Sequence, residues 1–184
     1  MRNQITMLAL DLGGNLGYSR SVCTLRPELH MNVVDHGTIY LDILATDRMK
    51  KEYNEVLSRR RVRMTIYEEV IRKLTDSARF DVFCAEDVFC NPSRISAFRS
   101  LAVYMEVLER IVNNEKQKRL FTIPPKLIKK HIGYFGALDK IGVQKAILDN
   151  KAITMKNAAE ATEHVFDSVA CGWSFVHEFL MTLT

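Results

Sequence analysis

The run Phe80-Asp81-Val82-Phe83-Cys84-Ala85 is almost unbroken in apolar residues, and it constrains the fold more than any other segment. A strand with one face in water alternates apolar and polar residues, whereas a near-continuous apolar run is buried on both faces. Such a strand belongs inside a sheet that carries helices, which is the α/β arrangement. The run then ends on Glu86-Asp87, where a buried strand has least use for charge.

The rest of the chain supplies the layers. Ile5 to Asp11 reads as a strand, followed by a turn containing Gly13-Gly14. Gly17 to Leu25 and Val33 to Tyr40 are further strands, separated by a turn with Pro27, and their short connections predict an antiparallel meander. From Asp42 to Asp76 the pattern turns helical, with Met64, Tyr67, Val70, Ile71 and Leu74 at three- and four-residue spacing. Pro92-Ser93 introduces a second helix with an apolar face from Ile95 to Ile111, and Arg119 to Ile123 is a fifth strand stopped by Pro124-Pro125. Short helices over Lys126 to His131 and Lys140 to Leu148 precede a last helix from Asn157 to Leu180. This order predicts a single α/β domain over residues 1–184. Its core is a mixed five-stranded sheet, three antiparallel strands and then two more, flanked by helices.

A chain of 184 residues can bury a substantial core, and 47% hydrophobic with 26% charged residues is ordinary for a soluble globular protein. The net charge of +4 and pI of about 8.9 are compatible with a polyanionic partner without specifying one. Cys23, Cys84, Cys90 and Cys171 form no CxxC pair, and three of them lie in apolar runs. That usage argues against a disulfide framework or a zinc site and fits a reducing compartment. Too few apolar residues precede Asp11 for a signal peptide or a membrane span, so no membrane association and a cytoplasmic location are expected.

Three acids sit where an apolar element would not want them. Asp11 ends the first strand, Glu86 ends the fourth, and Asp167 lies in the last helix. They converge if the two strands are neighbours and the helix packs across their ends. Magnesium is a hard cation that takes carboxylates, waters and phosphate oxygens. Two such ions about 4 Å apart activate a water and stabilise the leaving oxygen in phosphodiester cleavage. On the last helix Glu160, Glu163, His164 and Asp167 stand at i, i+3, i+4 and i+7 and share one face. Each acid also has a plainer reading. Asp11 before two glycines makes an Asx-turn, Glu86-Asp87 is a solvated strand end, and Glu160, Glu163 and His164 form a solvent face that favours a helix N-terminus. Spacing alone leaves the choice open.

Four segments add to this. They are Leu8-Ala9-Leu10-Asp11-Leu12-Gly13 with Gly17 after it; Phe80 to Glu86 with Phe89 three residues on; Lys129 through Gly136-Ala137-Leu138-Asp139-Lys140 to Val143-Gln144; and His164-Val165-Phe166-Asp167-Ser168-Val169-Ala170. In their order and gaps, across nearly the whole chain, they resemble the RuvC-type Holliday junction resolvases of the RNase H-like nuclease superfamily, in a divergent and for example viral form. The resemblance implies an RNase H-like fold and a crossover junction endodeoxyribonuclease that works with two Mg2+ ions, Mn2+ being able to substitute. It implies cleavage of four-way junctions or related branched DNA to 5′-phosphate and 3′-hydroxyl ends. It also implies a homodimer, because symmetric cuts need two sites, and a location in a bacterial cytoplasm or in a virus-infected host cell. By position, Asp11, Glu86, His164 and Asp167 become catalytic metal ligands, with His164 where many members carry Asp. Whether Glu163 replaces or assists His164 stays open.

Lys129 and Lys140 match lysines near the scissile phosphates, Lys140 with a catalytic role, and a point charge suits that task. Phe89 matches an aromatic that stacks on bases at the junction centre, its plainer reading being a core phenylalanine. The helix from Ile95 to Ile111 is a candidate subunit contact, although burial on its own sheet explains the same stripe. The glycine turn is spaced differently here, and Ser168-Val169 stands where the family has Ala-Leu. Arg59-Arg60-Arg61-Val62-Arg63 has no family counterpart and reads as a phosphate-contacting edge or a solvated helix face. The rival function is a catalytically silent RNase H-like module that binds branched DNA or a protein. Actin-like ATPases also open on Asp-x-Gly, but they need a second domain for which 184 residues leave no room.

Overall fold

The computed structural model describes residues 3–44, 59–89, 95–133 and 140–180. Its centre is a mixed sheet. β1 (Gln4–Asp11), β2 (Asn15–Thr24) and β3 (His30–Tyr40) form the antiparallel meander, while β4 (Val82–Glu86) runs parallel to β1 and β5 (Leu120–Ile123) parallel to β4. Five strands are expected from sequence, and the sheet has six, in the order β5-β4-β1-β2-β3-β6. The added β6 (Ile153–Met155) pairs in parallel with Met31 to Val33 of β3. Three residues are too few to show an alternating pattern, so this edge strand is invisible to periodicity.

The helices are α1 (Leu41–Leu44), α2 (Arg59–Asp76), α3 (Ile95–Glu109), α4 (Pro125–His131), α5 (Lys140–Asp149) and α6 (Glu163–Phe175). Two of them continue as π-helical turns, α3 over Arg110–Glu115 and α6 over Val176–Leu180. α4 begins at Pro125, whose fixed φ suits a first helical turn and whose missing N–H is no loss there. No helix among the described residues is long and apolar enough to cross a membrane.

α6 starts at Glu163 and not at Asn157. Asn157 takes a left-handed φ of 55°, Ala158–Glu160 make one 3-10 turn, and extended backbone at Ala161 and Thr162 separates it from the helix. Glu160 is therefore off the helical face it was expected to share. The helix begins where Val165 and Phe166, each 1% exposed, can be buried.

Strand periodicity assigns side chains to two cores. Met7, Ala9, Val82 and Cys84 point to the α6 face and pack with Val165, Phe166, Val169 and Trp173. Leu8, Leu10, Phe83 and Ala85 point the other way, onto Ile66, Tyr67, Ile71, Tyr104 and Leu108 of α2 and α3. Both faces of β1 and β4 are thus covered, as the apolar run of β4 requires. Each large side chain fully buried there is worth about 1.5–3 kcal/mol in transfer free energy. The apolar face of α3 belongs to this second core: Tyr104, Met105, Val107 and Leu108 are buried within the subunit.

Cys23, Cys84 and Cys171 are free and buried. Cys90, the Pro92-Ser93 helix start and the Gly136 to Asp139 turn lie outside the described residues.

Candidate active site

The register of the two central strands brings the first two acids together. Leu10 of β1 pairs with Ala85 of β4, so the next residues, Asp11 and Glu86, end adjacent parallel strands side by side. Continuing the alternation from Ala9 and Cys84, both acids point to the α6 face. α6 lies against β1, β2 and β4, and carries His164 and, one turn on, Asp167.

Gly17 sets how closely α6 approaches. It pairs with Asp11 across the β1–β2 ladder, and a Cβ there would overlap the backbone carbonyl of His164. Only a glycine lets the first turn of α6 rest directly on β2. Gly172 gives a looser close approach to β1, where a Cβ would come 2.8 Å from the Met7 methyl and 3.2 Å from the Ala9 Cβ.

His164 is then fixed from two sides. Its Nδ1 lies 2.8 Å from Asp11 Oδ2, and its Nε2 lies 3.3 Å from Asn15 Nδ2. With the Asn15 amide as donor to Nε2, the network assigns the imidazole proton to Nδ1, which donates to Asp11. The side chains of Asp11 and His164 are 17% and 23% exposed, so the pair sits inside the site and not on its rim.

Beneath the acids the floor is apolar. Cys84, two residues before Glu86, and Cys171, one turn after Asp167, are both fully buried. Burial raises the Glu86 carboxyl to about 7, with the charges of Asp11 and Asp167 adding and Lys129 opposing. Asp167 is pushed up to about 6, again chiefly by burial and then by Asp11, with His164 and Lys140 opposing. Asp11 is raised by burial despite its hydrogen bond from His164. The same hydrogen bond pulls His164 upward against its own burial. Three carboxylates therefore share one poorly solvated space and repel one another.

Among the described residues no three His, Cys, Asp or Glu side chains stand closed around a single point as a finished metal cage. The donor chemistry nonetheless fits a hard divalent cation. The set is three carboxylates with one imidazole, and the mutual repulsion is of the kind a positive charge relieves.

Neither a protein-family model nor a curated protein matches the sequence. Solved structures do match the fold. The Thermus thermophilus RuvC structure superposes with a TM-score of 0.70 at 11% identity, covering 96% of each chain. T. thermophilus RuvC in complex with Holliday junction substrate gives the same values. The yeast mitochondrial Holliday junction resolvase Ydc2 superposes with a TM-score of 0.63 at 11% identity, over 92% of this chain and 76% of its own. This chain has the RuvC fold.

Around the acids of this RuvC-like chain the remaining expected residues are spread unevenly. Lys140 opens α5, and its ammonium pairs with Glu163 at the start of α6. Lys129 is exposed on α4, close enough for Glu86 to feel its charge. Phe89 is 61% exposed, which removes the core reading. Within the arginine run, Arg63 makes a two-point ion pair with Asp42 at 2.5 and 2.6 Å, Val62 is buried and Arg61 is exposed. The side chains of Arg59 and Arg60 lie outside the described residues.

Two participants have no signal in motif spacing. Asn15 looks like one more turn residue after Gly13-Gly14, yet it holds the second nitrogen of His164. The Glu163–Lys140 pair joins positions 23 residues apart, beyond any helical or strand repeat.

Proposed function

We propose that this protein is a metal-dependent, structure-selective endonuclease that cuts four-way junctions or related branched DNA. The observation that carries the proposal is the crowding of Asp11, Glu86 and Asp167, with His164, at the C-terminal ends of two adjacent parallel strands. Two of the similar structures are, by their names, Holliday junction proteins: RuvC solved with Holliday junction substrate, and a mitochondrial Holliday junction resolvase.

Asp11, Glu86 and Asp167 would hold two Mg2+ ions, or Mn2+ in their place, and His164 would join them through Nε2 in exchange for its contact with Asn15. Bound there, the ions would supply water activation and neutralise the departing 3′-oxygen, giving 5′-phosphate and 3′-hydroxyl ends. The chain's own part is to place charge. Glu86 and Asp167 both feel the Asp11 charge, and Asp11 accepts the His164 N–H, which holds these two side chains before DNA arrives. Lys129 and Lys140 offer compact positive charges to phosphates flanking the cut. Phe89, exposed three residues beyond Glu86, offers a stacking face to an unpaired base at a branch point. Paired cuts across a four-way junction require two such sites and hence a homodimer. A pure binding module gains nothing from gathering buried carboxylates beside phosphates.

The test is cleavage of a labelled four-way junction with Mg2+ and again with EDTA, alongside a flap and a linear duplex. Mg2+-dependent cutting of the junction in preference to the linear duplex is expected, with at least a hundredfold loss in Asp167→Asn, as about 3 kcal/mol of lost transition-state stabilisation implies. Junction binding without cutting would instead establish the silent-module reading.

A further inference from the structure

Glu163 stands at the edge of the acid cluster, where Asp11 and Asp167 both feel its charge. Its carboxylate pairs with the Lys140 ammonium, and the same oxygen, Oε1, lies 3.7 Å from His164 Nε2. Lys140 is the first residue of α5 and Glu163 the first of α6, so the pair ties together the opening turns of two helices that pack on each other. The Lys140 side chain is 64% exposed, and Glu163 is its one ion-pair partner among the described residues. A lysine this open has many rotamers, and an ammonium on four rotatable bonds is held only by what it touches. Held by Glu163, it lies close enough to Asp11 and Asp167 for both to feel its charge.

We infer that Glu163 is a positioning residue, and not a metal ligand: it holds the Lys140 ammonium at the rim of the acid cluster, where the phosphate of a bound strand arrives. The inference rests on the endonuclease reading above. It separates from two alternatives by sign. If the pair were a plain surface ion pair, its loss would matter little to anything measured. If Glu163 acted only as a negative charge near DNA, its neutralisation would tighten junction binding and speed cutting. Positioning predicts a slower reaction with junction affinity unchanged or tighter, because the group lost served the geometry of the reacting complex.

The experiment uses the full chain as wild type, Glu163→Gln, Glu163→Asp, Lys140→Ala and the Glu163→Gln/Lys140→Ala double variant. Single-turnover cleavage is measured at saturating four-way junction with Mg2+, and junction affinity is measured in EDTA. Mn2+ binding without DNA is followed by calorimetry. Glu163→Gln is expected to slow cutting about ten- to a hundredfold. Its junction affinity should be equal or tighter and its Mn2+ affinity unchanged, with part of the rate restored in Glu163→Asp. In the Lys140→Ala background, Glu163→Gln should cost nothing more. A Glu163→Gln rate within about twofold of wild type overturns the inference, as does an equal loss in the absence of Lys140. Weakened Mn2+ binding would make Glu163 a ligand and overturn it too. A wild-type protein that cuts no junction overturns the endonuclease reading and this inference with it. A wild type that cuts, matched by Glu163→Gln, overturns this inference alone.

Discussion

Neutralising Glu86 should make the metal-free protein more stable at alkaline pH while abolishing its proposed chemistry. The carboxyl stands at about 7 in the fold against an ordinary 4.5, because burial and the charges of Asp11 and Asp167 disfavour its ionised form. Between those values the folded protein keeps a proton that the unfolded chain has released. Stability therefore holds below about pH 4.5 and is lost as pH rises through 7. A shift of that size corresponds to about 3 kcal/mol as a ceiling, and partial exposure reduces it to roughly 1–3 kcal/mol. Asp167, raised from 3.8 to about 6 by burial and then by Asp11, acts in the same direction, and because its charge is also one of those that raise Glu86 the two are not summed. His164 adds to the trend: its pKa is raised, so its contribution is complete at low pH and fades as it deprotonates.

Thermal unfolding in EDTA from pH 4.5 to 8.5 measures this. At pH 8 Glu86→Gln should melt higher than wild type by about 2–12 °C, using roughly 2–4 °C per kcal/mol for a chain of this length. At pH 4.5 the two should coincide. Mg2+ at pH 8 should raise the wild-type midpoint more than that of Glu86→Gln, because bound cation stabilises the ionised set. A Glu86→Gln protein that melts lower at pH 8, or a wild type indifferent to pH, would refute the claim that these acids crowd one another.

Gly17→Ala should lower stability by about 2–4 kcal/mol, seen as a reduced denaturation midpoint, since the new Cβ meets the His164 carbonyl on backbone that cannot swing aside. The same variant should lose junction cleavage even where it remains folded, because His164 moves with the turn. Phe89→Ala should leave the melting temperature unchanged, as the ring is 61% exposed, while weakening junction binding by about 1–3 kcal/mol in a gel-shift titration.

Much of this was legible in sequence because it rests on short-range pattern. The near-continuous run at Phe80 to Ala85 requires cover on both faces, and Leu8, Leu10, Phe83 and Ala85 receive it from α2 and α3 while Met7, Ala9 and Cys84 receive it from α6. Once β1 and β4 are central and parallel, Asp11 and Glu86 must meet. What stayed hidden depends on contacts between distant residues. β6 exists only because β3 offers it an edge. Helical spacing places Glu160 with Glu163 and Asp167, but one left-handed residue, Asn157, and the extended pair after it set Glu160 apart. The grip of Asn15 on His164 spans 149 positions.

The same geometry explains why the acids stand at strand ends and not within the sheet. One pair further back, Ala9 and Cys84 occupy the same face and are fully buried beneath α6. An acid there would have neither solvent nor room for a counter-charge, and would be held protonated. At Asp11 and Glu86 the strands stop and the side chains reach partial solvent, yet the apolar floor of Cys84 and Cys171 lies directly below. The acids there are desolvated enough to repel and open enough for a cation and a phosphate to enter. Gly17, and more loosely Gly172, complete the arrangement by letting α6 come close, with His164 at 2.8 Å from Asp11 and the Asp167 charge felt by Glu86. The repulsion thus created is a local instability that the two cores on either side must outweigh, and it leaves an attraction for the positive charge that the proposed chemistry requires.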